Sequence, residues 1–498
     1  MNNIGTVIIQ AGGLGSRLEK YTKNKPKCLV PLNGKPLIEY SIERFKDCKI
    51  IIIGDYKFDV LKLYIENFYS KYNISLVKAT GKNTCSGIQD AIKLIENDLP
   101  VCLIWSDLIL EQDIEHKEEI QVFLSDAFPC RYKLEEKNIV KETTDTNGVI
   151  GLFTFKNKSV ISTVPESGSF VGKWLKEQNQ ITSTKINNIK EIGILSALEK
   201  HKNKSFCRFF NSVEIKENKI YKKCINTEFD NLHKDEKNWY KYVVEKRYSN
   251  VPQIYSYEPL ILEYINGYHC HKEYFNEQQK KTILFNFCKA IKNLHDLEKI
   301  NVNQKDIDEV YYTKTFERIK KVQNVIPFFK YEKLIVNNKI IKNPFHNKNI
   351  NKFSQDIKNI KVESFHSIHG DCTFSNFLVN NDLSIKLIDP RGCFGKTKIF
   401  GDKDYDWAKF YYSLVGNYDS INDKNYDLEF EENNITYSIK SNGWENLETI
   451  FFELSGVDRN KNYLLNSLIW LSLCGYVIED YDAILISFIK GVELWNMI

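Results

Sequence analysis

The sequence predicts two folded units of different class. The first is α/β with a parallel, doubly wound sheet, and the second is α+β with its strands early and its helices late. Three observations carry this. Up to residue 107, short apolar runs alternate with segments of helical period. From about residue 209, strand-like runs come first and long helical stretches follow. The chain has 498 residues, 42% apolar and 27% charged, which is enough for more than one core and excludes wholesale disorder.

The elements follow in order. Thr6-Val-Ile-Ile-Gln10 is a short apolar strand. Residues 36–45 carry Leu37, Ile38, Ile42 and Phe45 at near-helical spacing. Residues 49–53 form a strand that stops at Gly54-Asp55. A helix over 60–69, a strand over 75–79 and a helix over 87–96 come next, and a strand over 100–105 ends at Ser106-Asp107. Alternation of this kind implies parallel pairing, with ligands beyond the carboxyl ends of the strands. Gly12, Gly13, Gly15 and Asp107 all fall there. In the second half the expected strands are 212–216, 219–225 and 260–264, and the expected helices 277–297 and 464–476. The polar stretch 200–205 lacks periodicity and reads as a linker, which gives units 1–200 and 205–498. The Asn- and Lys-rich stretch 337–358 reads as an exposed insertion or loop.

Composition narrows the function classes. With 69 basic and 65 acidic side chains the net charge is +4, so no strong polyanion-binding field is expected and nucleic acid is not an expected partner. The twelve cysteines are scattered, with no two within five positions, which fits buried thiols in a reducing compartment rather than disulfides or a metal knuckle. Met1 to Gln10 has no basic stretch before an apolar run, so no signal peptide is expected. The longest apolar stretch, 464–478, is interrupted by Asn466, Ser467, Ser472 and Gly475 and is too short to span a bilayer. A soluble, cytoplasmic protein is the expectation.

The first chemical constellation is Gln10-Ala-Gly-Gly-Leu-Gly-Ser-Arg-Leu18, directly after the first strand. Clustered glycines let backbone amides approach a phosphate. The third glycine of a dinucleotide fingerprint would fall at Leu18, and no GxxxxGK[ST] is present, so neither an ordinary NAD site nor a P-loop is expected. Arg17 ends the loop with a planar fork suited to phosphates, and Lys27 in Lys25-Pro26-Lys27 adds a cation where pyrophosphate charge would develop. These residues resemble the nucleoside-diphosphate-sugar pyrophosphorylase superfamily, which includes phosphocholine cytidylyltransferases. The resemblance covers residues 1–198. It implies that Ala11, Gly12, Gly13, Gly15 and Ser16 hold the nucleotide phosphates, and that Arg17 and Lys27 stabilise the transferred nucleotidyl group. It also implies that Thr84, Ser86 and Gly87, within Gly81-Lys-Asn-Thr-Cys-Ser-Gly87, contact base and ribose, and that Asp107 binds Mg²⁺. Glu191 is the nearest candidate for the second metal carboxylate, with contact to the second substrate as the alternative role.

The second constellation is Ile368-His-Gly-Asp-Cys-Thr-Phe-Ser-Asn376 followed by Ile385-Lys-Leu-Ile-Asp389-Pro-Arg-Gly. An Asp, an Asn five positions on and an Asp thirteen beyond that is the spacing of a kinase catalytic loop plus its metal strand. In that chemistry Asp371 accepts the proton of the substrate hydroxyl, and Asn376 and Asp389 hold Mg²⁺ against ATP. The segment 209–498 resembles the aminoglycoside phosphotransferase/choline kinase family, which implies a bilobal, kinase-like fold. The resemblance asks for a strand lysine and a helix glutamate, for which Lys222 and Glu236 are the candidates. Lys222 and Lys223 point to opposite faces, so only one reaches ATP, and Lys222 is favoured. Glu263, in Leu260-Ile-Leu-Glu-Tyr-Ile265, enters the segment that would bond adenine, and Asp406 would brace the catalytic loop.

Together these imply two consecutive steps. ATP phosphorylates a small alcohol, choline or similar, and an NTP, with CTP favoured, donates NMP to the new phosphate. Mg²⁺ is the expected cofactor, and the product would be an activated precursor for decorating a surface polysaccharide. Tyr405, Trp407, Tyr411, Tyr412 and Trp470 are candidates for an aromatic cage around a quaternary ammonium, while Arg391 suits an anionic substrate instead. The alternatives are a sugar kinase fused to a sugar-1-phosphate nucleotidyltransferase, and a nucleotide-binding scaffold with one degenerate site.

Overall fold

The computed structural model describes residues 3–81, 83–136, 138–178, 180–202, 211–227 and 230–498. The chain forms two compact units, Met1–Asn203 with Glu479–Asp482, and Lys204–Ile478 with Ala483–Ile498. In the first, strands Ile74–Lys78, Lys49–Gly54, Thr6–Gln10 and Val101–Trp105 lie side by side in that order, all parallel. Thr6 to Ile9 are buried, the continuous apolar run of a strand covered on both faces. Helices Leu37–Arg44, Phe58–Phe68 and Thr84–Ile92 form the crossovers. The last of these begins three residues before its expected start.

Beyond Val101–Trp105 the sheet is mixed, which corrects the parallel expectation. Gly148–Phe155 runs antiparallel to both Val101–Trp105 and Ile120–Ser125, and Ile181–Lys185 then pairs parallel with Ile120–Ser125. Parallel return needs a long crossover, usually a helix, and among the described residues the links 106–119 and 126–147 contain none.

The pairing of Gly148–Phe155 with Ile120–Ser125 shifts register between Val149 and Phe153. Gly151 sits within that shift at φ +80°, and a Cβ on it would lie 2.1 Å from Trp105 Cδ2. Gly151→Ala is therefore expected to destabilise the first unit by roughly 3 kcal/mol, from left-handed strain plus overpacking. Urea unfolding followed by tryptophan fluorescence reads this, and a variant indistinguishable from the parent refutes the close approach.

The second unit opens with an antiparallel sheet ordered Asn211–Lys216, Lys219–Cys224, Leu260–Glu263, Ile254–Tyr257. Helix Asp230–Glu245 intervenes between the second and third of its strands in the chain. Helices Glu277–His295, Lys403–Leu414 and Arg459–Cys474 follow, the first opened by an Asn276/Gln279 capping box. A short hairpin, Phe377–Val379 with Ile385–Leu387, sits among them.

One loop expectation is corrected. Within 337–358, strand Lys339–Lys342 pairs with Lys333–Val336, and helix Ile350–Lys358 buries Phe353 and Ile357. Asn337, Asn343 and Asn349 there bond backbone groups through their side chains. Buried Asn343 donates through Nδ2 to the carbonyls of Phe329 and Tyr331 at 2.8 and 3.0 Å. In the expected linker, Lys200 and His201 close helix Leu195–His201, whereas 203–205 lie outside the described residues. The apolar stretch from 464 is the buried part of Arg459–Cys474, and no helix among the described residues is long and apolar enough to cross a membrane. The cysteines among them are all free.

Candidate active sites

In the first unit, the carboxyl ends of the parallel strands open on a cavity of about 1040 Å³. Gly15 has φ +69°, and a Cβ there would lie 2.8 Å from Lys27 Cβ, so the loop can fold over Lys27 only with glycine at this position. Lys27 Nζ donates to Asp107 Oδ2 at 2.5 Å, while the buried Asp107 Oδ1 has no hydrogen-bond partner among the described residues. Glu191 reaches the same place by strand pairing. Ile189–Glu191 runs antiparallel to Leu108–Leu110 with Glu191 opposite Leu108. A Cβ on Gly193 would meet both Glu191 Oε1 and Asp107 Oδ2, so the two carboxylates converge on that glycine. Burial, and then the charge of Asp107, push the Glu191 carboxyl above its ordinary value. Arg17 Nη2 lies 3.9 Å from Glu191 Oε1.

Gly12, Gly13, Ser16, Thr84 and Gly87 also line this cavity. Thr84 opens its helix and accepts the Phe170 N–H through Oγ1 at 2.8 Å. Two expected residues do not face it. Ala11 is buried with its N–H given to the Ile53 carbonyl, and the buried Ser86 donates its hydroxyl to the Asn83 carbonyl. Each sits one step off the lining, on the side its element turns to the core. Arg131, an exposed cation of the lining, escaped the sequence reading because its loop carries no periodicity or motif.

In the second unit the expected groups come together around Lys222. Its Nζ lies 2.7 Å from Glu236 Oε1 and 2.6 Å from Asp389 Oδ1, while Lys223 is exposed on the opposite face. Burial alone would lower the Lys222 ammonium, but Asp389 and Glu236 outweigh it and hold it above the usual lysine value. Asn376 Nδ2 donates to the Asp371 carbonyl and to its Oδ2, at 2.8 and 3.0 Å. Asn376 also accepts the Ile388 N–H at 2.9 Å, which places Asp389 beside it. Asp406 braces the loop by accepting the N–H groups of His369 and Gly370 at 2.9 and 2.7 Å. Glu263 stands apart. Its Oε2 and its N–H both bond the Gln253 backbone, and it pairs in register with Lys219 rather than Lys222.

The expected aromatic cage does not assemble. Trp407 and Tyr411 are buried against Phe451, with ring centroids 6.3 and 5.9 Å away, and Trp470 packs on Tyr412 at 4.2 Å. Only Tyr405 and Tyr412 of the five reach the cavity beside Asp371.

Residues 7–116 match the family model of the MobA-like NTP transferase domain. The first unit thus contains a nucleotidyltransferase domain, and its relatives include cytidylyltransferases. The chain is 34% identical over 165 residues to CTP:phosphoglutamine cytidylyltransferase of Campylobacter jejuni, across 29% of this chain and 62% of that protein. It is 49% identical over 76 residues to choline-phosphate cytidylyltransferase of Streptococcus pneumoniae, across 14% of this chain and 30% of that protein. The chain thus spans less than two thirds of the length of these curated relatives. Among solved structures, CTP:phosphocholine cytidylyltransferase from Streptococcus pneumoniae aligns at 23% identity and a TM-score of 0.34, covering 40% of this chain and 97% of that one.

Proposed function

We propose that the chain is a bifunctional enzyme, a small-molecule phosphotransferase and a cytidylyltransferase acting in sequence. The observation that carries the transferase half is the convergence of Lys27, Asp107, Glu191 and Arg17 on one cavity in a nucleotidyltransferase domain. Both relatives are cytidylyltransferases, which favours CTP as donor. The convergence of Lys222, Glu236, Asp371, Asn376 and Asp389 supports the phosphotransferase half.

In the first step an acceptor oxygen attacks the γ-phosphorus of ATP. The bond to the β-phosphate oxygen breaks with its electron pair on ADP, and Asp371 takes the acceptor's proton. In the second, an oxygen of the new phosphate attacks the α-phosphorus of CTP. Pyrophosphate leaves with the electron pair of the broken bond, and Lys27 and Arg17 meet the charge that develops.

The donor sets suit a hard divalent cation. Asp107 Oδ1 is buried beside Glu191 with no partner among the described residues, and Asn376, its amide nitrogen committed to Asp371, retains Oδ1 as an acceptor. Asp107 and Glu191 would hold Mg²⁺ in the transferase, and Asn376 and Asp389 in the phosphotransferase. When bound, Mg²⁺ would supply neutralisation of phosphate charge. The test is a matrix of ATP, CTP, UTP and GTP against a panel of alcohols, sugars and hydroxy acids, followed by ADP and pyrophosphate release. ADP with ATP and an acceptor, and pyrophosphate with CTP and the phosphorylated acceptor, are expected. Pyrophosphate release with another NTP only would overturn the choice of CTP.

A further inference from the structure

Beside Asp371 the second unit encloses a cavity of about 200 Å³. Four cationic side chains line it, Lys314, Arg318, Arg391 and Lys409, against one carboxylate, Asp371. They arrive from three places. Lys314 and Arg318 are one turn apart on helix Lys314–Val322 and so share a face, Arg391 lies in the loop after strand Ile385–Leu387, and Lys409 projects from helix Lys403–Leu414. Lys409 Nζ is 3.0 Å from Asp371 Oδ1, which balances one pair of charges. The other three are not balanced by any lining carboxylate. Arg318 donates Nη1 to the Ser472 carbonyl at 3.0 Å and lies over the Tyr476 ring, contacts that position its charge without neutralising it. The side chains of Lys314 and Arg391 make no hydrogen bond or ion pair among the described residues. Burial, and then the neighbouring Arg391, Arg318 and Lys409, push the Lys314 ammonium well below the ordinary lysine value.

Confining like charges in a small cavity is unfavourable, so Lys314 is driven toward its neutral form unless a counter-charge joins the group. That counter-charge does not belong to ATP, because Lys222, Asn376 and Asp389 do not line this cavity. The space therefore lies on the acceptor side of Asp371. Its volume is below the ~300–1,000 Å³ of pockets for drug-sized ligands, so the acceptor is small. Tyrosines line it too, Tyr405 and Tyr412 among them, but a quaternary ammonium would meet Arg318 and Arg391 there, with the one lining carboxylate, Asp371, already paired to Lys409.

We propose that the phosphoryl acceptor of this protein is a small molecule carrying an anionic group, a carboxylate or a phosphate, seated on Lys314, Arg318 and Arg391. This rests on the phosphotransferase reading of the second unit. The anion is held by the three cations and directs the acceptor's nucleophilic oxygen to Asp371. The oxygen's proton passes to Asp371, the new P–O bond forms to the γ-phosphorus, and ADP leaves with the electron pair of the broken bond.

The test uses the full chain and four small probes: glycerate (carboxylate), glycerol 3-phosphate (phosphate), glycerol (neutral) and choline (cationic). Calorimetric titration is expected to show binding of glycerate or glycerol 3-phosphate but not of glycerol or choline, with whichever anion binds naming the source. Lys314→Met and Arg391→Met are each expected to weaken that binding at least tenfold, while the KM for ATP is unchanged. In turnover, ADP release with an anionic acceptor is expected to exceed that with choline at least tenfold in kcat/KM. Tighter binding or faster turnover of choline, no binding of either anion, or anion binding indifferent to both substitutions overturns the proposal. Anion binding lost in both variants, with no acceptor giving ADP above the Asp371→Asn background, leaves the anion site standing and removes the phosphotransferase reading.

Discussion

Asp371→Asn is expected to lower the rate of phosphoryl transfer by about 10²–10⁴-fold, the usual worth of a positioned general base. That corresponds to roughly 3–5 kcal/mol of transition-state stabilisation. The carboxylate is bonded on both oxygens, by Asn376 Nδ2 on Oδ2 and by Lys409 Nζ on Oδ1. An amide at this position can accept only one of them and turns its NH₂ toward the other, so the local bonding is disturbed as well as the proton acceptor lost. A thermal unfolding profile of the variant separates the two effects. ADP release in the presence of acceptor is the primary measurement, and a variant retaining a tenth or more of the parent's rate would show that Asp371 is not the base. Pyrophosphate release from CTP and the pre-phosphorylated acceptor is expected to persist. If it disappears too, the two chemistries do not occupy separate sites.

Lys27→Met is expected to do the converse. Removing a charge-bearing donor from the developing negative charge of nucleotidyl transfer costs about 10²–10³-fold in kcat. Here the loss is larger, because Lys27 also offsets Asp107, and without it the buried Asp107 and the half-buried Glu191 face each other as two carboxylates. Pyrophosphate release should fall below detection while ADP release continues, and the phosphorylated acceptor should accumulate. Mixing the Lys27→Met and Asp371→Asn variants is expected to restore the complete product through diffusion of that intermediate. Near-normal pyrophosphate release from Lys27→Met would remove this lysine from the reaction and with it the assignment of the cavity.

What could be read without a structure was local. The strand Thr6–Gln10 announces itself by an unbroken apolar run, and the glycines behind it by the backbone freedom a tight turn needs. Asp371, Asn376 and Asp389 lie within one short stretch of chain, and a two-stranded hairpin suffices to bring them together. Face alternation along a strand separates Lys222 from Lys223, though only packing shows that the face of Lys222 is the buried one.

Tertiary pairing decided the rest. Glu191 reaches Asp107 because Ile189–Glu191 adds to Leu108–Leu110, a contact with no signature in either segment alone. The turn to a mixed sheet after Val101–Trp105 depends on which edges are open when the later strands arrive, and strand propensity does not encode that. Ala11 and Ser86 sit within the right motifs, but the direction of a single side chain or N–H is set by what packs behind it. The clearest case is the cavity beside Asp371. Aromatic residues close in sequence suggested a cage, whereas the fold sends Trp407 and Tyr411 into the core and gathers Lys314, Arg318, Arg391 and Lys409 from three separate places. Periodicity and spacing report on neighbours along the chain, and the sign of the charge in a cavity is a sum over residues that meet only once the chain has folded.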